Sequence, residues 1–342
     1  MVRALIAFAA ALGIVAGVRF GAAAAVRIAP RDADPPTLRD AYHGTFLVGV
    51  AVNDAQASGR DTAGARIARE QFNSVSPENV LKWERVHPHP GVYDWAAADR
   101  YVAFGQRAGM FVIGHTLVWH QQTPRWVFED GAGRPASRDT VLARMREHIH
   151  AVVGRYRGRV RGWDVVNEAL ADDGSLRDSP WRRAIGDDFI AYAFRYAHEA
   201  DPGAELYYND YALEGPAKRA GAVALVRRLR AAGVPIVAVG TQEHDALAWP
   251  TAAQVDTTIA ALAATGVRVN VTELDIDVLP AATAGHGAEV SLRAERRDAL
   301  DPFAAGLPDS VQHALARRYA ELFAVFLKHR DAIARVTFWN VT

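Results

Sequence analysis

Two glutamates in this chain have the setting that bond-breaking chemistry asks for. Glu168 lies in the run "WDVVNEA" and Glu273 in "VTELDID", each at the end of an apolar, β-branched stretch and far apart in sequence. A pair of carboxyl groups flanking one acetal bond is what glycoside hydrolysis requires: one protonates the departing oxygen while the other attacks the sugar or activates water. Their surroundings differ, so the roles can separate. Glu168 follows Asn167 and precedes apolar Ala169 and Leu170, a setting that raises a carboxyl pKa and retains the proton. Glu273 has Asp275 two residues on and could have His244 nearby, partners able to hold it ionised and aimed as a nucleophile. A single strand-end carboxylate is as often half of a salt bridge, so the pair counts only if the fold sets both across one cleft.

The elements that would do so are legible. Eight short runs have strand texture, at 46–52, 72–76, 110–116, 160–166, 204–210, 235–242, 267–274 and 335–341. The first seven are followed by stretches of helical period rich in Ala, Arg and Leu, at 62–71, 95–108, 138–157, 187–200, 216–232, 251–265 and 310–330. Several of these open on capping residues or an early proline and close on Gly109, Gly233 or Gly266. Strand and helix alternating this often without a linker predict a parallel sheet closed into a (β/α)8 TIM barrel. An open doubly wound sheet would want a glycine-rich phosphate turn after an early strand, and "GVAVND" is not one.

In such a barrel the loops after the strands build the site, so polar side chains should gather at each strand's C-terminal end. They do. Strand one ends in Asn53, and strand two runs into Glu78, Asn79, Lys82 and Trp83. Strand three runs into His115, Trp119 and His120, strand four into Asn167 and Glu168, and strand five into Asn209, Asp210 and Tyr211. Strand six ends in Gln242 and His244, strand seven in Glu273 and Asp275, and strand eight in Trp339. One polar ending could be chance, whereas a ring of them marks a site.

Composition narrows the ligand. The 342 residues carry 39 basic and 39 acidic side chains, so neither a nucleic-acid footprint nor a polyanionic partner is expected. Eight Trp and ten Tyr supply flat aromatic faces that suit sugars. The start, "MVRALIAFAAALGIVAGVRFGAAAAVRIAP", has an early charge at Arg3, an apolar run over 4–17 and small residues around 22–25. It reads as a signal peptide over 1–25 ahead of a catalytic domain over 26–342, which predicts a secreted protein, extracellular or periplasmic, with no membrane association after cleavage. The run is too short for a span of about 20 residues. There is no cysteine, which excludes disulfides, thiolate catalysis, Cys-ligated zinc and a lipoprotein anchor. A metal-dependent hydrolase could draw His115, His120, His244 and Asp275 as ligands, but the paired histidines such sites want at the end of strand one are replaced by "VAVND". His87 and His89 in "HPHP" sit among prolines in a loop, so no metal and no cofactor are expected.

The segments "FNSVSPENVLKWERVHP", "GHTLVWHQQTPRWVF", "WDVVNEALADDGSLRDSPW", "ELYYNDYALEGPAKR", "VGTQEHD" and "VNVTELDID" resemble the endo-1,4-β-xylanases of glycoside hydrolase family 10, in the family's order, from about Phe46 to Thr342. The resemblance implies a retaining double displacement on xylan or xylo-oligosaccharides, and the protein is expected to be a monomer. It makes Glu168 the acid/base and Glu273 the nucleophile, with Asn167 on the sugar 2-hydroxyl and His244 and Asp275 orienting Glu273. Glu78, Asn79 and Lys82 would bind the next xylose on the non-reducing side. His115, Trp119, Gln242 and Trp339 would line the subsite at the cut with His120 nearby, and Asn209 and Tyr211 are further candidates for sugar contact.

Many family members carry glycine at the place of Glu243, and the added carboxylate is expected to point outward. The family pattern also continues past "RVTFWNVT" into an eighth helix, so the barrel is expected to lack that helix. A sugar-binding barrel without turnover is disfavoured by the presence of both glutamates. Activity on cellulose or mixed-linkage glucan stays open, since glucose differs from xylose only by its hydroxymethyl group.

Overall fold

The computed structural model describes residues 35–279 and 302–341, so the expected signal peptide lies outside the described residues. Nine strands follow in chain order: β1 (Leu47–Val52), β2 (Ser74–Pro77), β3 (Phe111–Trp119), β4 (Gly162–Asn167), β5 (Glu205–Asp210), β6 (Ala238–Thr241), β7 (His244–Ala246), β8 (Arg268–Asp277) and β9 (Ile333–Phe338). Every pairing between them is parallel. β1 to β6 pair in sequence, β6 pairs with β8, β8 with β9, and β9 returns to β1, which closes an eight-stranded barrel. The (β/α)8 expectation holds, with one difference at the sixth strand. Of the expected run 235–242 only β6 forms and pairs with the first half of β8; the strand is interrupted at Gln242 and Glu243, and β7, beyond the expected run, pairs with the second half, His244 opposite Asp275.

Eleven α-helices are described: α1 (Leu38–Ala41), α2 (Asp54–Ser58), α3 (Thr62–Gln71), α4 (Trp83–Val86), α5 (Ala96–Arg107), α6 (Arg138–Arg155), α7 (Pro180–Ile185), α8 (Phe189–Ala200), α9 (Pro216–Ala231), α10 (Ala252–Ala263) and α11 (Asp309–Lys328). The seven long ones are the seven expected from periodicity; the four short ones lie in loops, too brief to show a helical period. Local chemistry sets several starts. Ser137 accepts from the Thr140 amide ahead of α6, Thr251 and Gln254 form a capping box at α10, and Pro216 occupies the first turn of α9. Among the described residues, the chain runs from β9 to Val341 without a further helix.

The strands are buried along almost their whole length, as a sheet covered by helices demands, with polar Ser74, Asp164, Asn270, Arg335 and Thr337 buried among the apolar residues. Where β1 and β9 meet, Phe323 of α11 stacks on Phe338 at 5.9 Å and contacts Tyr42 at 5.0 Å, and Tyr42 stacks on Phe46. Burying each such ring contributes about 2–3 kcal/mol, so this cluster seals the barrel where its two ends join. Inside the barrel, Gly240 matters to the site: a Cβ there would collide with the Asn209 carboxamide and lie 2.8 Å from Thr272 Cγ2. Glycine is required so that Asn209 can lie flat against β6.

Candidate active site

Glu168 is the first residue beyond β4, and its φ of 57° is left-handed. That conformation costs a non-glycine residue roughly 1–2 kcal/mol, and the backbone is held on both sides. Its N–H donates to the Asn209 carbonyl at 2.8 Å, and its carbonyl accepts from Arg177 Nε at 3.1 Å. The side chain is thereby turned into the barrel mouth, only 4% exposed. Trp119 Nε1 donates to Oε2 at 2.8 Å and Gln242 Nε2 to Oε1 at 3.0 Å. Burial, with the charges of Asp210 and Glu273 behind it, outweighs those two bonds and lifts the Glu168 pKa to about 7.

Glu273, in the middle of β8, is held the opposite way. Burial alone would raise its pKa, but the hydrogen bond from His244, with His115 and Lys82 facing it, brings it below the ordinary carboxylate range. His244 Nε2 lies 3.0 Å from Glu273 Oε2 and Nδ1 lies 2.9 Å from Asp275 Oδ1. Burial opposes charge on this imidazole, yet the two carboxylates raise its pKa to about 9. The expected trio of His244, Asp275 and Glu273 is thus assembled by the β7–β8 pairing.

A carboxamide joins the two glutamates. Asn209 Nδ2 donates to Asn167 Oδ1 and to Glu273 Oε1, both at 2.9 Å, and its own Oδ1 accepts from Thr272 Oγ1 at 2.6 Å. Asn167 Oδ1 also takes a bond from Gln242 at 3.3 Å, so its Nδ2 is the end left to donate to a ligand. Asn209 was expected to touch sugar; it is fully buried with its amide spent, and braces the pair instead. Tyr211 is 3% exposed, its hydroxyl accepts from Arg177 at 2.7 Å, and Lys218 Nζ lies 3.2 Å from its ring centre. Glu243 does not point outward either. It is 1% exposed and turned toward Thr241, whose Oγ1 lies 3.0 Å from its Oε1, while Gln242 before it reaches Glu168 in the cleft.

The remaining candidates line the mouth on one side. Lys82, 7% exposed, donates to Asn79 Oδ1 at 3.0 Å, and its ammonium lies 4.9 Å from the Trp119 ring centre. Burial lowers its pKa against the pull of Glu273, Glu168 and Glu78, and burial raises that of Glu78 against Lys82 and Asn53. Trp339 stands edge-on to His115 at 5.7 Å and to His244 at 6.2 Å, forming a wall over the nucleophile. His120 sits at the edge of the Trp119 ring, kept neutral with a pKa of about 4 by burial and by Arg177 and Lys218. A cavity of about 330 Å³ lined by Asn53, Asn79, Arg85 and Asp94 adjoins this group. Among the described residues, no group of three or more histidines and carboxylates is disposed to hold a metal.

Three residues with clear roles were not singled out from the sequence. Asp164 holds His115 Nδ1 at 3.0 Å, Arg177 pins the Glu168 carbonyl and Tyr211, and Thr272 orients Asn209. Asp164 had a signal, a charge inside an apolar strand; Arg177 and Thr272 had none.

A parallel barrel whose C-terminal mouth holds one carboxyl poised to keep its proton and one held ionised defines a glycoside hydrolase. The chain belongs to glycosyl hydrolase family 10, whose model matches residues 37–342. It is 44% identical over 306 residues to endo-1,4-beta-xylanase A of Xylanibacter ruminicola, covering 90% of this chain and 83% of that protein. It is 41% identical over 308 residues to a beta-1,4-xylanase of Dictyoglomus thermophilum, covering 90% and 80%. Among solved structures, a family 10 endoxylanase retrieved from a sugarcane soil metagenome superposes with a TM-score of 0.86 at 45% identity, covering 89% of this chain and 88% of that one.

Proposed function

We propose that this chain is an endo-1,4-β-xylanase that cleaves internal β-1,4-xylosidic bonds by a retaining double displacement. The observation that carries the reading is the opposite setting of Glu168 and Glu273, linked through the amides of Asn209, Asn167 and Gln242. In the first half, Glu168 gives its proton to the glycosidic oxygen as Glu273 Oε attacks the anomeric carbon, forming a glycosyl ester and releasing the leaving chain. Ester formation removes the negative charge on Glu273, one of the charges that keeps Glu168 protonated. Glu168 then ionises more readily, takes a proton from water, and the hydroxide displaces Glu273. Asn167 Nδ2 serves the sugar 2-hydroxyl, a bond that strengthens as positive charge grows at the anomeric centre. Glu78, Asn79 and Lys82 take the next xylose, while His115, Trp119, Gln242 and Trp339 enclose the sugar being cut.

The test is to incubate the protein with xylopentaose and follow product lengths and anomeric configuration by NMR. Internal cleavage with a first-formed β-anomer is expected; an α-anomer or absence of cleavage overturns the reading. Carboxymethyl cellulose under the same conditions separates xylan from glucan specificity.

The apolar run over 4–17 supports export, with cleavage near residue 25 leaving a secreted monomer. Among the described residues no helix is long and apolar enough to cross a membrane. Expression of the whole chain and N-terminal sequencing of the secreted product should find a start near residue 26; an intact Met1 on protein retained in cells would refute export.

A further inference from the structure

Behind the cleft, on the far side of the break between β6 and β7, lies a carboxyl group that the proposed reaction does not use. Glu243 has a φ of 57°, a left-handed backbone unusual for a residue with a side chain, and it is 1% exposed. It stands between two residues that hold the catalytic pair: Gln242, bonded to Glu168, and His244, bonded to Glu273. The main chain of the same turn ties to β8, since the Gln242 carbonyl accepts from the Glu273 amide at 3.0 Å and the Glu243 carbonyl from the Asp275 amide at 3.2 Å.

The surroundings of Glu243 leave little room for a second negative charge. Thr241 Oγ1 lies 2.9 Å from Glu214 Oε1 and 3.0 Å from Glu243 Oε1. A hydroxyl has one proton, so Thr241 can donate to only one of these carboxyls, and the other must bring its own. Glu214, in the loop after β5, is 1% exposed, and Asp245 of β7 is 3% exposed. Arg318 of α11 is engaged with Asp245 Oδ2 at 3.3 Å and with the Pro250 carbonyl. Arg219 of α9 is bound to the Glu214 carbonyl and Thr258 rather than to a carboxyl, and Asp275 of β8 adds negative charge beside Asp245. Glu243 Oε2 has no hydrogen-bond partner among the described residues, a costly position for an ionised oxygen.

We propose that Glu243 is a positioning residue held as the neutral acid: its carboxyl proton goes to Thr241 Oγ1, whose own proton goes to Glu214, and this chain fixes the turn that presents Gln242 and His244. The proposal rests on the functional reading above. Burial, with Glu214 and Asp245 close by, lifts the Glu243 pKa well above the carboxylate range, in keeping with a proton retained at neutral pH. The Gln242 bond lowers the Glu168 pKa and the His244 bond lowers that of Glu273, so loosening the turn should move both limbs of the pH–rate profile upward.

The variants are E243G, which suits the left-handed backbone while deleting the carboxyl, and E243Q, which keeps a donor that cannot ionise. On xylopentaose, E243G should lose about tenfold in kcat, the worth of one well-placed hydrogen bond, with both limbs displaced to higher pH. E243Q should recover most of that loss. A role in stability alone would lower the melting temperature without moving the limbs, and a folded E243G with the parent profile overturns the proposal. Independently of activity, the infrared difference spectrum of parent minus E243Q at neutral pH should contain the carbonyl band of a protonated carboxylic acid. A carboxylate pair of bands in its place overturns it even if the protein proves inactive on xylan, so failure here and failure of the functional reading are read separately.

Discussion

His244 lies with Nε2 3.0 Å from Glu273 Oε2 and Nδ1 2.9 Å from Asp275 Oδ1, so both ring nitrogens face carboxylates. A neutral imidazole has a single N–H, so satisfying both contacts requires the imidazolium. This cation, with a pKa of about 9, keeps Glu273 charged inside a buried site. Replacing His244 with Ala removes the donor. The Glu273 pKa should rise, the acid limb of kcat/KM should move to higher pH, and kcat should fall about 10- to 100-fold, as for loss of a charged hydrogen bond. An unmoved acid limb would show that the imidazole does not govern Glu273.

The two glutamates are distinguishable by leaving group. Glu273→Ala should lower kcat by at least about 10⁴-fold on every substrate, since no ester can form. Glu168→Ala should cost about 10²–10⁴-fold on xylan and far less in the first step on an aryl xylobioside whose phenol departs unprotonated. Equal losses for both variants on both substrates would contradict the assigned roles.

Asp210 is fully buried, bonded by Tyr208 and by the Leu170 amide and paired with Lys218 at 3.0 Å. Its charge is among the causes that raise the Glu168 pKa. Asp210→Asn removes that charge while Lys218 remains, so Glu168 should lose its proton at lower pH. The alkaline limb, set near pH 7 by Glu168, should move down. A limb that stays in place or moves up would refute the coupling.

His87 and His148 form a buried pair, Nδ1 to Nδ1 at 3.3 Å, with the His148 ring stacked on Trp83 at 3.6 Å. Burial lowers the His87 pKa to about 4 and that of His148 well below its ordinary value. Folded rings stay neutral while unfolded ones bind protons below about pH 6.5, so stability is present above that value and is lost as pH falls toward the folded pKa. At pH 5 the loss from His87 is about 1–2 kcal/mol. The melting temperature should therefore drop between pH 7 and pH 5, and His148→Phe, which keeps the stack, should shallow that drop. A pH slope unchanged by His148→Phe would exclude this source.

Much of the site was legible because its residues fall at strand ends, and strand ends are visible in a single sequence. Glu168, Glu273, His244, Asp275, Trp119 and Gln242 come together as expected. Asn209 and Tyr211 fall at the same ends but turn to buried partners, since a side chain's alternation tells which face it occupies and not what stands opposite. Their partners, Thr272 and Arg177, stand 63 and 34 residues away along the chain, and nothing in either residue's own segment says which polar group it will meet.

The sequence by itself determined the alternation of strands and long helices, the closure into a barrel, and the ring of polar strand ends that names the chemistry. Those follow from local periodicity, capping and spacing. Only the tertiary structure decided that Glu243 turns inward, that the sixth strand breaks to present Gln242 and His244, and that Asn209 braces Asn167 and Glu273. Each of these depends on which distant groups share a buried, low-dielectric space. There a polar atom's role is set by the donors and acceptors within about 3 Å, and no spacing along the chain encodes them.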